Sequence, residues 1–159
     1  MPTATTPRMT RAKRVEPWAL LLQAHSSLVD RLEHELLDEL GLPLTWYEVL
    51  LYLVRAEDGR LRMTDLAGSL LLSKSGVTRL VDRMEATGLV ERGVCSSDRR
   101  GSFAVITNKG RALHRKAAPI HLRGVEEHFL GHLSAAERRA LTTGLRKVVA
   151  AAGLAEQAS

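Results

Sequence analysis

The sequence predicts a mainly α-helical protein with one small β-hairpin, and three observations predict it. Apolar residues recur at three- and four-residue steps along most of the chain, the spacing of helices with one buried face. Two short, partly β-branched runs, LVERGV and SFAVIT, flank the polar CSSDRRG and read as the arms of a hairpin. Long helical patterns at both ends carry more apolar surface than the middle of the chain can cover.

The chain has 159 residues, 45% of them hydrophobic, enough for one domain with a core of its own. Lys and Arg number 23 against 18 Asp and Glu, and the resulting +5 favours a polyanionic partner without naming it. No apolar run approaches the roughly 18 residues of a membrane span, and the segment before Trp18 lacks the apolar stretch of a secretory signal. A cytoplasmic protein with no membrane partner is expected. A single cysteine, Cys95, excludes an intrachain disulfide framework. There is no Gly-rich phosphate loop, Gly-x-Ser-x-Gly elbow or paired catalytic carboxylate motif, so no catalytic residue, enzymatic activity or cofactor is expected.

Residues 1–16 are rich in Thr, Pro and bases, and read as a flexible basic arm. Pro17 suits a first helical turn, and Trp18, Leu21, Leu22, His25, Leu28, Val29, Leu32, Leu36 and Leu40 then keep helical step as far as Gly41, within a segment 17–44. Thr45 with Glu48 reads as a capping box for the next helix, which buries Trp46, Val49, Leu50, Leu53 and Val54. After a turn at EDGRLRM, with a short strand, Thr64 is the cap expected for a short helix through Leu71, packed by Leu66, Ala67, Leu70 and Leu71.

Ser73 caps the next predicted helix, about Lys74 to Ala86, which Gly88 closes. Val77, Leu80, Val81 and Met84 form its inner stripe, leaving Lys74, Ser75, Thr78, Arg79, Asp82 and Arg83 outside. From Asn108 a helix is expected to about Leu133, bent at Pro119 and buried through Leu113, Ala117, Ile120, Val125, Phe129 and Leu133. Ser134 and Glu137 form a capping box for a last helix carrying Leu141, Leu145, Val148 and Val149, and 154–159 form a frayed tail.

Helix, short helix, tight turn, helix and hairpin in that order make residues 45–107 a winged helix-turn-helix. Its second helix suits a major groove, where Arg and Lys donate to guanine and Ser and Thr make several contacts. Base reading is expected from Ser75, Thr78 and Arg79, with Lys74, Arg83 and the arm on phosphates and Ser73 near the helix N-terminus. Arg99 and Arg100, beside Gly101, can enter a minor groove from the hairpin tip, with Asp98 turned inward to pair with one of them. Residues 17–44 and 108–153 are then dimerisation helices, and a homodimer would present two reading helices to an inverted-repeat duplex.

The strings Gly88-Leu89-Val90-Glu91-Arg92, Asp98-Arg99-Arg100 and Ile106-Thr107-Asn108-Lys109-Gly110 resemble those of the MarR family of bacterial transcriptional regulators, with Ile106 replacing the usual leucine. The resemblance extends over roughly residues 18–150 and takes in the helix-turn-helix LAGSLLLSKSGVTRLVDRMEATGLV. It implies a homodimeric, sequence-specific double-stranded DNA-binding repressor, released when a small aromatic or anionic effector enters a cleft. Trp18, His25, Trp46, Tyr47, Arg62 and Met63 are the candidate lining residues.

Cys95 and four histidines would serve the alternative, a redox- or metal-responsive regulator. Cys95 lies in the expected wing, whereas relatives that sense oxidants carry their cysteine near the first helix, so an incidental thiol is expected. His114, His121, His128 and His132 can share one side of a helix, but only the last pair has i,i+4 spacing and no metal site is expected. A protein-interaction module that uses the winged region is the alternative from a different class.

Overall fold

The computed structural model describes residues 11–95 and 98–153, and of residues 11–12, 94–95 and 98–101 the backbone only. Most of the expected arm, the tail 154–159 and the side chains of Cys95, Asp98, Arg99 and Arg100 therefore lie outside the described residues. No described helix is long and apolar enough to cross a membrane.

Helix α1 spans Arg11–Leu40 and so takes in residues 11–16, which the composition assigns to an arm. Pro17 lies inside it rather than in its first turn. So near the N-terminus the ring forfeits one bond, to the Lys13 carbonyl, and the helix formers before it carry the helix outward. Helix α2 (Leu44–Arg55) starts one residue before the expected Thr45 cap: Pro43 holds the N-cap position and no cap side chain bonds there. The Glu33 carboxylate of α1 instead accepts from the Leu44 N–H at 2.6 Å, so a tertiary contact replaces the expected capping box.

A 3₁₀ turn (Glu57–Gly59) and strand β1 (Arg60–Arg62) lead straight into α3 (Met63–Ser69). Because β1 runs into the helix, extended Arg62 is the N-cap and Thr64 lies within the first turn. Helix α4 (Lys74–Ala86) follows, and then β2 (Val90–Cys95), β3 (Asp98–Ile106), α5 (Asn108–His128) and α6 (Ala135–Ala151). The expected stretch to Leu133 breaks at Phe129, whose φ of −128° and ψ of −69° leave the helical region. Leu130–His132 form a 3₁₀ turn, so His132 is off the helix that holds the other three histidines. Arg138 of α6 fixes this corner by donating to the carbonyls of Leu130 (2.6 Å) and Leu133 (3.2 Å). The Ser134–Glu137 capping box is present.

The sheet is antiparallel in the order β1-β3-β2. Its register shifts after Val94, which faces Ser102, while Cys95 faces Asp98. Arg99, Arg100 and Gly101 fall in that shift, on β3 rather than in a long connecting turn.

Two apolar clusters hold the molecule together. One lies within the winged region and includes Leu50, Leu53, Leu66, Val77, Val81, Met84 and Val90, all essentially inaccessible. The other joins α1, α2 and α5 through Leu32, Leu36, Leu44, Tyr47, Ala117 and Ile120. Trp46 and Leu113 pack against both, so the winged region is coupled to the long helices rather than tethered to them. Each fully buried leucine contributes about 1.5–3 kcal/mol by leaving water. The N-terminal half of α1 and all of α6 lack such cover: Trp18 is 62% exposed, Val148 is 63% exposed, and α6 buries no residue.

Candidate nucleic-acid interface

The turn between α3 and α4 is closed by two backbone bonds, from the Leu72 N–H to the Ala67 carbonyl (3.0 Å) and from the Leu71 N–H to the Gly68 carbonyl (3.2 Å). This is a Schellman ending, in which the residue after the cap turns left-handed. Leu71 does so with φ +53°, and its side chain is exposed instead of packed as the sequence suggests. Two residues later Ser73 starts α4, its Oγ accepting from the Gly76 N–H at 3.1 Å, an arrangement that stabilises a helix by about 1 kcal/mol. The Ser73 hydroxyl, expected near DNA, is thus engaged as a cap and lies 3.2 Å from the Ser75 hydroxyl.

The inner stripe of α4 is buried as its spacing predicts: Val77, Leu80, Val81 and Met84 all belong to the winged core. Lys74, Ser75, Thr78, Arg79 and Arg83 are exposed together on the other side. In the free chain two of these groups bond back to their own helix, Thr78 Oγ1 to the Lys74 carbonyl (2.9 Å) and Arg79 Nε to the Ser75 carbonyl (3.3 Å). Both bonds are in solvent and can be exchanged for bonds to a ligand at little net cost.

Asp82, which shares this outer helix surface, would repel phosphate, and Arg92 of β2 neutralises it. Arg92 donates to Asp82 Oδ1 from Nη2 (2.6 Å) and Nε (3.1 Å), while its backbone N–H donates to Glu85 Oε1 (3.0 Å). As a half-exposed pair this is worth about 1 kcal/mol at most. Its larger consequence is geometric, because it fixes the hairpin against the reading helix. Arg92 was not among the expected site residues; the only signal for it in the sequence is its place in Gly-Leu-Val-x-Arg.

The segment Ile106–Gly110 is a joint of the same kind. Thr107 Oγ1 accepts from the Gly110 N–H (3.0 Å), capping α5, and lies 2.7 Å from the Gly88 carbonyl toward which it donates. Lys109 Nζ donates to the Thr87 carbonyl at the C-terminus of α4 (2.6 Å), and Gly88, at φ +75°, supplies the left-handed turn that ends that helix. Gly110 lies so close to the Leu89 carbonyl that a Cβ there would be 2.2 Å away. Asn108 and Lys109 are exposed, but the bonds of Thr107 and Lys109 and the close fit of Gly110 tie the end of α4 and the start of β2 to α5.

The six expected cleft residues do not converge within one chain. Trp18 is exposed on α1, and His25 lines a shallow groove with Ser26, Val29, Asp30 and Glu33. Met63 belongs to the winged core, and Trp46 bridges both cores. The Arg62 guanidinium stands 5.2 Å from the centre of the Phe103 ring, with Arg60 at 5.6 Å. Only Tyr47 lies in a polar nest, stacked with His114 (5.6 Å, 2° between planes) and in contact with His121 (4.6 Å). Close by, His128 Nε2 and Glu35 Oε1 are 2.5 Å apart. The rings of His114 and His121 pack between α5 and Tyr47 of α2. Among the described residues no three His, Cys, Asp or Glu side chains gather as a metal site.

Burial holds both of these imidazoles below the ordinary histidine range; Arg55 and Arg115 add to the effect at His114, and Glu35 opposes it at His121. Histidines with lowered folded values bind protons preferentially in the unfolded chain. The contribution of these two histidines to stability is therefore expected to be level above about pH 6.5, the unfolded value, and to fall as pH drops below it. Thermal midpoints across pH 5–8 check this, with a shallower acid limb expected for His121→Gln. An acid limb of equal slope in that variant contradicts the assignment.

A buried-stripe helix delivered by a tight turn, an exposed polar face on it and a three-stranded sheet beside it define a winged helix-turn-helix protein. Comparison with known proteins gives the family. Residues 40–101 match the model of the MarR family. The transcriptional regulator HosA of Escherichia coli O157:H7 is 30% identical over 129 residues, covering 81% of this chain and 89% of that one. AbsC, a MarR family regulator from Streptomyces coelicolor, has a crystal structure with a TM-score of 0.81 and 36% identity, covering 91% of this chain and 96% of AbsC. Sco3205 from the same organism, crystallised in complex with DNA, gives a TM-score of 0.83 and 32% identity over 96% and 94% of the two chains. The chain belongs to the MarR family of transcriptional regulators.

Proposed function

We propose that the protein is a homodimer that binds an inverted-repeat DNA duplex sequence-specifically in the cytoplasm, represses transcription there and performs no catalysis. The observation that carries this reading is the outer face of α4, where Lys74, Ser75, Thr78, Arg79 and Arg83 are exposed together opposite a fully buried stripe. Ser75, Thr78 and Arg79 read bases, while Lys74 and Arg83 hold phosphates. Asp98, Arg99 and Arg100 act at the minor groove from β3, and residues of the basic segment 1–16 add phosphate contacts. The uncovered apolar faces of α1 and α6 support the homodimer, with 45–107 as the DNA-binding region. Release by a small aromatic or anionic effector follows the family resemblance, and the Tyr47, His114 and His121 nest between α2 and α5 is the polar site closest to that role.

Two variants test the division of labour on α4. Arg79→Ala is expected to lose about 1–3 kcal/mol of discrimination at particular base pairs. Lys74→Ala is expected to weaken all sequences evenly and to lower the salt slope by about one. Titration of a selected duplex and a scrambled one, each at several salt concentrations, measures both. Equal losses on the two duplexes for both variants contradict the assignment.

A further inference from the structure

We propose that Leu71 is a DNA-contacting, specificity-determining residue that packs on the methyl group of a thymine at the edge of the major groove. The inference rests on the DNA-binding reading above and deepens it. Leu71 stands where helix α3 ends in a left-handed residue, at φ +53°, a position that glycine or asparagine fills without strain and that a branched side chain resists. Burial does not explain the leucine, for its side chain is 78% exposed, with Leu72 beside it at 38%. The backbone does not need it, because both bonds of the turn are made by main-chain atoms. A strained backbone and an exposed apolar side chain are each unfavourable in the free protein, so the residue is best explained by what it meets in a complex.

Its position names that partner. Leu71 precedes the Ser73 cap by two residues, which limits the distance between their Cα atoms to roughly 7 Å. A groove that receives the N-terminus of α4 therefore receives the turn as well. Ser73, Lys74 and Ser75 around it carry hydrogen-bonding groups suited to phosphates and base edges, whereas leucine offers neither donor nor acceptor. The thymine C5-methyl is the apolar group that a major groove presents.

The experiment uses the full chain and a duplex selected from a random-sequence pool. Leu71→Gly and Leu71→Asn both relieve the strain, so each is expected to fold with a thermal midpoint equal to or above that of the wild type. Both are expected to bind the selected duplex roughly tenfold more weakly, the effect of losing a partly buried leucine. Each thymine of the half-site is then exchanged for uracil, which deletes only the methyl. Wild type and Arg79→Ala should lose affinity at one common position where the two Leu71 variants are indifferent. Wild-type affinity in both variants, or the same response of all four proteins to every exchange, overturns the proposal. A folded wild-type protein that selects no duplex overturns the DNA-binding reading itself, a separate result.

Discussion

Gly110→Ala is expected to destabilise the protein by roughly 3 kcal/mol, the upper part of the range for overpacked interiors. The added Cβ would lie 2.2 Å from the Leu89 carbonyl oxygen, 2.9 Å from Ile106 Cγ1 and 3.2 Å from Leu50 Cδ2. A side-chain tip could swing aside, but the first of these atoms is backbone, anchored where Thr107 meets Gly88 and Leu89. Either α5 retreats from the winged core or the start of β2 moves. Urea unfolding of the two chains gives the difference, and a loss below about 1 kcal/mol contradicts this packing account. Because β2 also carries Arg92, the surviving folded fraction is expected to bind DNA more weakly than wild type.

Leu145→Asp is expected to dissociate the dimer and to reduce operator affinity by two orders of magnitude or more. Leu141, Leu145 and Val148 lie on α6, which buries none of its residues within the chain, and Trp18, Leu21, Leu22 and Val29 are similarly uncovered on α1. An aspartate in a face that closes against a second copy must be desolvated without a partner, and breaking such an interface costs about 3 kcal/mol or more. One chain then holds a single half-site, and the gain from linked binding is lost. Sedimentation gives the mass, and the isolated chain should keep its helical signal in the winged region. A dimer of unchanged strength would place the interface elsewhere.

What the sequence made legible followed from local rules. The stripe of α4, its Ser73 cap, the Gly88 ending and the Ser134–Glu137 box all depend on residues within a few positions of each other, and all are present. Where the fold departs from these expectations, either a distant partner or a local reversal of the chain is the cause. Thr45 has the pattern of a cap, but Glu33, on another helix and eleven residues before Leu44, supplies the acceptor for the Leu44 amide. Leu71 looked like core because its neighbours Leu66 and Ala67 are, yet the chain reverses there and turns it outward. Similar reasons hid part of the site. Nothing in the spacing of Asp82, Glu85 and Arg92 reveals that a strand returns to lie on the helix. The Thr107-Asn108-Lys109-Gly110 string could be matched as a pattern, whereas its work, joining the end of α4 to the start of α5, is visible only in three dimensions.

In the proposed complex two copies of this chain present the outer faces of their α4 helices to one duplex. Titration of the selected duplex, with the mass of the complex measured at each step and salt varied, decides whether they do. Two chains per duplex are expected, on half-sites about one helical turn (~34 Å) apart, with affinity that falls steeply with salt and is lost on a scrambled sequence. A single chain per duplex, or equal affinity for selected and scrambled sequences, contradicts it.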